Sequence, residues 1–173
     1  MNITTKRICK DAILLAILCV IGMIAIPFGD NIKVSLQFLI VLVICFLADS
    51  LVDSLIITIS YLVLGFLLPI YAGFHSGITP TFGYVIGFVI VCLPIRLIIS
   101  IKKLPMTARL IIAGFVSLLI LYIIGTLFMM LYLNLSLEKT LLVSVVPYIA
   151  FDIVKIFLAV GIYHLIPQRL LTK

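Results

Sequence analysis

Two oppositely charged residues, Asp152 and Lys155, lie inside the last apolar stretch of the sequence, which runs from Val143 to Leu165. Residues three positions apart on a helix share one face, so both side chains point toward the same neighbours. Each charge costs roughly 2.5–3.5 kcal/mol at the centre of a membrane helix unless another group compensates it. The pair therefore predicts either a binding site for a polar ligand or an ion pair that holds helices in register.

The composition places this pair in a membrane protein. Hydrophobic residues make up 65% of the 173 residues, charged residues make up 10%, and the mean hydropathy is +1.47. So little polar surface cannot cover a soluble globule, which excludes a soluble catalytic domain. We expect one all-α integral membrane domain over residues 1–173, with six helices of ~20 residues each. The apolar runs place the six spans at 11–28, 34–48, 51–69, 80–98, 109–133 and 141–166.

The basic residues orient these spans. The formal net charge is +6, but the lysines and arginines lie at the ends of apolar segments rather than in one patch, which argues against nucleic-acid binding. The basic start resembles a signal peptide, but no small-residue cleavage motif precedes Pro27, so we interpret it as the first span. If both termini are cytoplasmic, nine of the 12 basic residues fall on that side: Lys6, Arg7, Lys10, Arg96, Lys102, Lys103, Arg109, Arg169 and Lys173. We therefore expect a multi-pass protein of the cell membrane with both ends inside.

The connection from Ile70 to Tyr84 then lies on the outer side. Its glycines, aromatic residues and hydroxyls are typical of a structured loop. If the last helix begins at Pro147, Asp152 and Lys155 lie near the outer surface, and the loop covers a pocket above them. The expected ligand contacts in the loop are Tyr71, Phe74, Thr81, Phe82 and Tyr84. A girdle of aromatic residues at the membrane interface is the alternative interpretation.

Two further pairs of residues are candidates for contacts. Ser35 and Gln37, in the second span, can hydrogen-bond a ligand or a neighbouring helix. Ala12 and Ala16 are four residues apart and give the first helix a face of small side chains. That face suits either packing inside the bundle or docking on a partner subunit.

The sequence indicates no enzyme, no metal site and no cofactor. His75 and His164 have no metal ligand at helical spacing, and the four cysteines lie singly in or beside apolar runs. No nucleophile has a base beside it, and no phosphate-binding glycine loop is present. We interpret Asp49 and Asp53 as a solvated cytoplasmic turn or a contact with a partner.

Several motifs resemble those of one known family. The stretch from Thr79 to Phe88 (TPTFGYVIGF) resembles the G-P-T-G-G-Y-hydrophobic-hydrophobic-G-F signature of the BioY family, the biotin-binding membrane subunits (S components) of energy-coupling-factor transporters. Asp152 and Lys155 resemble the D-x-x-K of that family's last helix. The segment ending at Gln37 is similar to its P-x-T-x-Q segment, and residues 61–73 resemble its Y-L-hydrophobic-hydrophobic-G and L-P-V-F-A-G motifs.

This resemblance implies a six-helix S-component fold with a biotin pocket near the outer face. It also implies a membrane coupling subunit and two cytoplasmic ATPases as partners, with Ala12 and Ala16 facing the coupling subunit. Phe82 and Thr79 replace glycines of the signature, so lipoate, which has a similar acidic tail, is an alternative ligand. A structural or assembly protein, in which Asp152 and Lys155 only lock helices together, is the alternative from another class.

Overall fold

The computed structural model describes residues 5–28 and 32–167, and these form eight helices and one two-stranded antiparallel sheet. Residues 29–31, between the first two predicted spans, and the basic residues Arg169 and Lys173 lie outside the described residues. The elements in chain order are α1 (Thr5–Gly22), β1 (Ala25–Phe28), β2 (Ile32–Ser35), α2 (Gln37–Leu47), α3 (Leu51–Leu67), α4 (Phe82–Ile90), α5 (Cys92–Ile99), α6 (Met106–Leu133), α7 (Leu137–Ser144) and α8 (Ile149–Leu165).

Helix α2 is the centre of the bundle. All its residues from Gln37 to Phe46 are buried, as expected for a helix that is apolar on every side. It packs against α1, α3, α5 and α8, while the long helix α6 packs against α4, α5, α7 and α8. The residues at the start of α2 therefore lie inside the bundle, next to α8.

Helix α1 lies nearer the N-terminus than the first predicted span, α2 is shorter than the second, and a sheet joins the two helices. Helix α1 ends at Gly22, and residues 25–28, predicted as the end of the first span, form β1 instead. Strand β1 pairs with β2 so that Ala25 lies opposite Ser35. Pro27 has no backbone N–H to donate, which suits a two-stranded sheet because both strands are edges. The described residues are otherwise helical or in loops, so this short sheet is a local departure within the predicted helical fold.

Two other predicted spans are each divided into two helices. The fourth breaks at Val91 between α4 and α5, shortly before Pro94, which cannot donate the helical hydrogen bond to Ile90. The sixth breaks at 145–148, around Pro147, and α7 and α8 meet there at an angle of 50°. The last helix consequently starts two residues after the proline at which the sequence predicted its start.

Length and apolar composition identify two stretches of the described chain that can each cross a membrane, Phe82–Ile99 and Met106–Leu133. Helices α7 and α8 supply a third crossing if the bent pair is one span. Helices α2 and α3 are apolar but shorter. That the chain has six membrane spans stays a prediction.

The α3–α4 loop, residues 68–81, is attached to the rest of the bundle by its backbone. The amide of Gly73 donates to the carbonyl of Met23 at 2.9 Å, and the amide of Gly77 donates to the carbonyl of Gly65 at 2.8 Å. Both loop glycines have positive φ angles, 77° and 72°, which side chains with a Cβ rarely adopt. These contacts hold the loop over the end of the bundle where β1 and β2 lie.

Charged residues near the start of α1 bind the connection between α2 and α3. Arg7 donates from Nε and Nη2 to Oδ1 of Asp53 at 2.9 and 2.6 Å, and Lys10 lies 2.7 Å from Oδ2 of Asp49. Asp53 also forms a capping box with Ser50 at the start of α3. Because Asp53 is only 3% exposed, its interpretation as a solvated residue is wrong.

The small-residue face of α1 points away from the bundle. Ala12 and Ala16 are exposed, while Leu14, Leu18 and Gly22 form the buried face of the helix. Packing of the two alanines inside the bundle is therefore excluded, and their docking on a partner stays a prediction.

Candidate functional site

A cavity of about 400 Å³ opens at the end of the bundle that carries the sheet and the α3–α4 loop. This volume lies in the range of small-molecule sites, roughly 300–1,000 Å³. The walls come from β1, β2, α2, α4, α6, the loop and the segment from α7 to α8. Six of the nine residues that the sequence predicted as ligand contacts line it: Ser35, Gln37, Thr81, Tyr84, Asp152 and Lys155.

The two predicted charges and one tyrosine form a polar group in the buried part of this cavity. Lys155 Nζ donates to Asp152 Oδ1 at 2.6 Å, and Tyr122 Oη donates to Asp152 Oδ2 at 2.8 Å. Asp152 is 8% exposed and Lys155 is 6% exposed. We call Tyr122, Asp152 and Lys155 the floor of the cavity.

The helix dipole of α8 acts on Asp152. This residue lies in the first turn of the helix, where the helix dipole stabilises a negative charge. Both members of the ion pair are on α8, so the pair by itself does not join two helices. The bond from Tyr122, on α6, is the one that links helices through Asp152.

The floor can bind a ligand that both donates and accepts hydrogen bonds. A carboxylate has about four acceptor positions and a lysine ammonium has three donors, so each group can contact a ligand while keeping its present partners. Such charge-assisted hydrogen bonds are about twice as strong as neutral ones. The arrangement suits a compact polar ring that presents an N–H group beside a carbonyl oxygen.

Gln37 is held in place by Tyr61, the first residue of the Y-L-hydrophobic-hydrophobic-G motif, for which the sequence predicted no contact. Its side-chain amide donates to Tyr61 Oη at 2.5 Å, and Tyr61 in turn donates to the carbonyl of Ile70 at 2.9 Å. Tyr61 is fully buried on α3. This chain of bonds connects the cavity wall to the α3–α4 loop.

Tyr84 forms the wall beside α6. Its hydroxyl donates to the backbone carbonyl of Ser144 at 3.1 Å, and Ser144 Oγ lies 3.3 Å from Thr126 Oγ1. The ring lies directly over Gly125, where a Cβ would meet three of its carbon atoms. The absence of a side chain at Gly125 therefore determines how far Tyr84 extends into the cavity.

Three predicted contacts do not line the cavity, and the expectation for them is corrected. Phe82 is buried and packs its ring against Phe66 and Phe128, with ring centroids 5.3 and 5.8 Å away. Tyr71 is buried over α3, where its hydroxyl donates to the carbonyl of Leu62 at 2.7 Å, and burial raises the pKa of Tyr71 to about 12. Phe74 is 69% exposed. Phe82 and Tyr71 are therefore packing residues rather than residues of the cavity lining.

Several lining residues were missed by the sequence analysis. Tyr122 is a tyrosine in the middle of an apolar span, and tyrosines at such positions are also common where they have no function. Lys33 lies between the first two predicted spans, Tyr148 follows Pro147, and His75 was considered as a metal ligand and not as a lining residue. Tertiary packing brings all of them to the same cavity.

Replacing Tyr122 by phenylalanine is expected to lower the free energy of unfolding by about 1.5 kcal/mol. This is the lower end for a hydrogen bond to a charged group, because water in the cavity can partly replace the hydroxyl. Thermal unfolding of the detergent-purified protein measures the change. The matched control is Tyr163→Phe, since the hydroxyl of Tyr163 has no hydrogen bond within the described residues. Equal melting temperatures for the two variants would contradict the role assigned to the Tyr122 hydroxyl.

Comparisons with known proteins identify the same family as the motifs. The model of the BioY family matches residues 1–172. The chain belongs to the BioY family. A relative from Thermotoga maritima, named biotin transporter BioY, is 28% identical over 159 residues, which cover 89% of this chain and 91% of the relative. The resemblance inferred from the motifs is confirmed.

A solved structure confirms the fold of this BioY family member. The crystal structure of the S-component for biotin from an ECF-type ABC transporter superposes with a TM-score of 0.79 at 22% identity. The match covers 94% of this chain and 93% of that one. The S-component fold expected from the sequence is therefore present.

Proposed function

We propose that this chain is the substrate-binding membrane subunit of an energy-coupling-factor transporter and captures biotin at the outer face. The observation that carries the proposal is the floor of the cavity, where Asp152, Lys155 and Tyr122 meet beneath apolar walls. The family, and a relative named as a biotin transporter, support the same ligand. The protein binds its substrate and performs no chemistry on it.

The chemistry of biotin fits this floor. Its fused ring carries a ureido group with two N–H donors and one carbonyl oxygen. Asp152 can accept from an N–H group and Lys155 can donate to the carbonyl oxygen. The apolar part of the ring system then contacts side chains such as Phe88 and Leu121.

The proposal includes the partners expected from the sequence. A membrane coupling subunit and two cytoplasmic ATPases supply the energy for uptake, and the exposed face of α1 with Ala12 and Ala16 contacts the coupling subunit. The chain crosses the cell membrane several times with both ends in the cytoplasm. The cavity then opens on the outer side.

Lipoate is the competing ligand within the same class. It shares an acidic aliphatic tail with biotin, but its dithiolane ring has no N–H group to donate to Asp152. Asp152 is buried and accepts bonds from Lys155 and Tyr122, so a ring without donors leaves its remaining acceptor positions unused. The floor therefore favours biotin over lipoate.

The experiment is a thermal unfolding series on the detergent-purified protein with biotin or lipoate. A ligand present at about 100 times its dissociation constant stabilises the folded state by about 2.7 kcal/mol, so biotin is expected to raise the melting temperature clearly. Lipoate is expected to leave it unchanged. If only lipoate raises the melting temperature, the ligand is lipoate rather than biotin. If biotin at millimolar concentration leaves the melting temperature unchanged, the proposal is overturned.

A further inference from the structure

Lys33 lies on the face of the sheet that borders the cavity. Side chains alternate along a strand, so Lys33 and Ser35 point to one side of β2 and Val34 points to the other. Lys33 and Ser35 both line the cavity, as does Ala25, which lies opposite Ser35 on β1. The register of this sheet therefore determines that a lysine faces the ligand space.

The position of Lys33 is at the opening of the cavity rather than at its floor. Lys33 is exposed, as are three other lining residues, His75, Thr81 and Val143. The floor residues Asp152 and Lys155 are buried in comparison. A ligand that fills the cavity thus reaches from the buried ion pair to the exposed lysine.

Lys33 provides the excess positive charge of the cavity. Among the described residues that line the cavity, Lys33, Asp152 and Lys155 are charged, and the last two compensate each other at 2.6 Å. The ion pairs found within residues 5–28 and 32–167 do not include Lys33. The described part of the lining consequently carries one net positive charge, which suits a ligand with a single negative charge.

A ligand carboxylate is disfavoured at the floor. It would lie beside the carboxylate of Asp152, and like charges at short distance repel strongly in a poorly solvated site. It would also compete with Asp152 for Lys155. A neutral group that both donates and accepts hydrogen bonds has neither disadvantage.

We propose that Lys33 is a specificity-determining residue that binds the carboxylate of the ligand at the cavity opening, which places the ligand's ring on the floor. This inference rests on the proposed function and adds the residue that binds the ligand's carboxylate. Aligned on Gln37, Lys33 stands where the family's P-x-T-x-Q pattern has its proline. The contact is therefore not a part of that pattern.

The test compares two ligands on two proteins. Lys33→Gln is expected to weaken biotin binding about two- to fivefold, the range for an exposed ion pair. It is expected to leave unchanged the affinity for biotinamide, whose tail carries no charge. Isothermal titration calorimetry on detergent-purified protein measures both affinities. The loss for biotin should shrink at high salt, because salt screens exposed charges.

Lys139→Gln is the matched control. Lys139 is an exposed lysine of α7, it does not line the cavity, and the charge distribution predicts it on the same side of the membrane. This variant should bind biotin like the unmodified protein. Lys33→Arg should retain binding, since it keeps the charge.

Each outcome decides between the inference and the function on which it rests. If the unmodified protein binds biotin and Lys33→Gln binds it equally well, the role of Lys33 is overturned and the proposed function stands. If Lys33→Gln weakens the binding of biotin and of biotinamide equally, Lys33 acts on the shape of the cavity, and its proposed contact with the ligand's carboxylate is overturned. If the unmodified protein binds no biotin, the proposed function fails together with the inference.

Discussion

Replacing Lys155 by methionine is expected to abolish high-affinity biotin binding and to lower the free energy of unfolding by about 3 kcal/mol. Breaking a buried ion pair costs about 3–5 kcal/mol because one charge remains without compensation. We expect the lower end, because the cavity beside Asp152 admits water. Tyr122 remains as a partner of Asp152 but carries no charge. Thermal unfolding and calorimetric titration with biotin measure the two effects.

The double variant Asp152→Asn with Lys155→Met separates the ion pair's structural role from its role in binding. With both charges removed, no buried charge remains, and most of the lost stability should return. Biotin binding should stay absent, because the binding site has lost a charged hydrogen-bond acceptor and a charged hydrogen-bond donor. A stable double variant that binds biotin normally would show that the pair only stabilises the helix arrangement.

Replacing Gly125 by alanine is expected to weaken biotin binding at least about tenfold and to lower the free energy of unfolding by about 1–3 kcal/mol. The new methyl group would fall on the ring of Tyr84. Adding a methyl group to a packed interface forces side chains to move, which has this typical cost. The ring of Tyr84 can move only toward the cavity or by separating α4 from α6. Either movement changes the wall that a ligand contacts.

The matched control is Gly161→Ala in α8, where an added Cβ meets no atom within 4 Å. That change should be neutral or slightly stabilising, because alanine favours helix by up to about 1 kcal/mol over glycine. In a second control, Tyr84→Leu combined with Gly125→Ala should recover stability without recovering full binding. Normal biotin affinity in Gly125→Ala alone would contradict the position of Tyr84 as a cavity wall.

Some of the residues that the sequence predicted as ligand contacts line the cavity and others do not, and the aromatic residues show the difference. Phe82 and Tyr84 are two positions apart in the same motif, yet Tyr84 lines the cavity and Phe82 packs in the core. The side chains of residues two positions apart on a helix differ in direction by about 200°. The motif alone therefore does not say which of the two faces a ligand. The position of α6 decides it.

By itself the sequence determined the membrane class and the family, because composition and ordered motifs do not depend on knowing the fold. It also determined that Asp152 and Lys155 share a face, since helix geometry is local. Only the tertiary structure decided that Tyr122 donates to Asp152 and that β2 directs Lys33 to the same cavity. The physical reason is distance along the chain: Tyr122 is 30 residues from Asp152. Neither helix periodicity nor strand alternation carries information over such a separation, which only packing brings together.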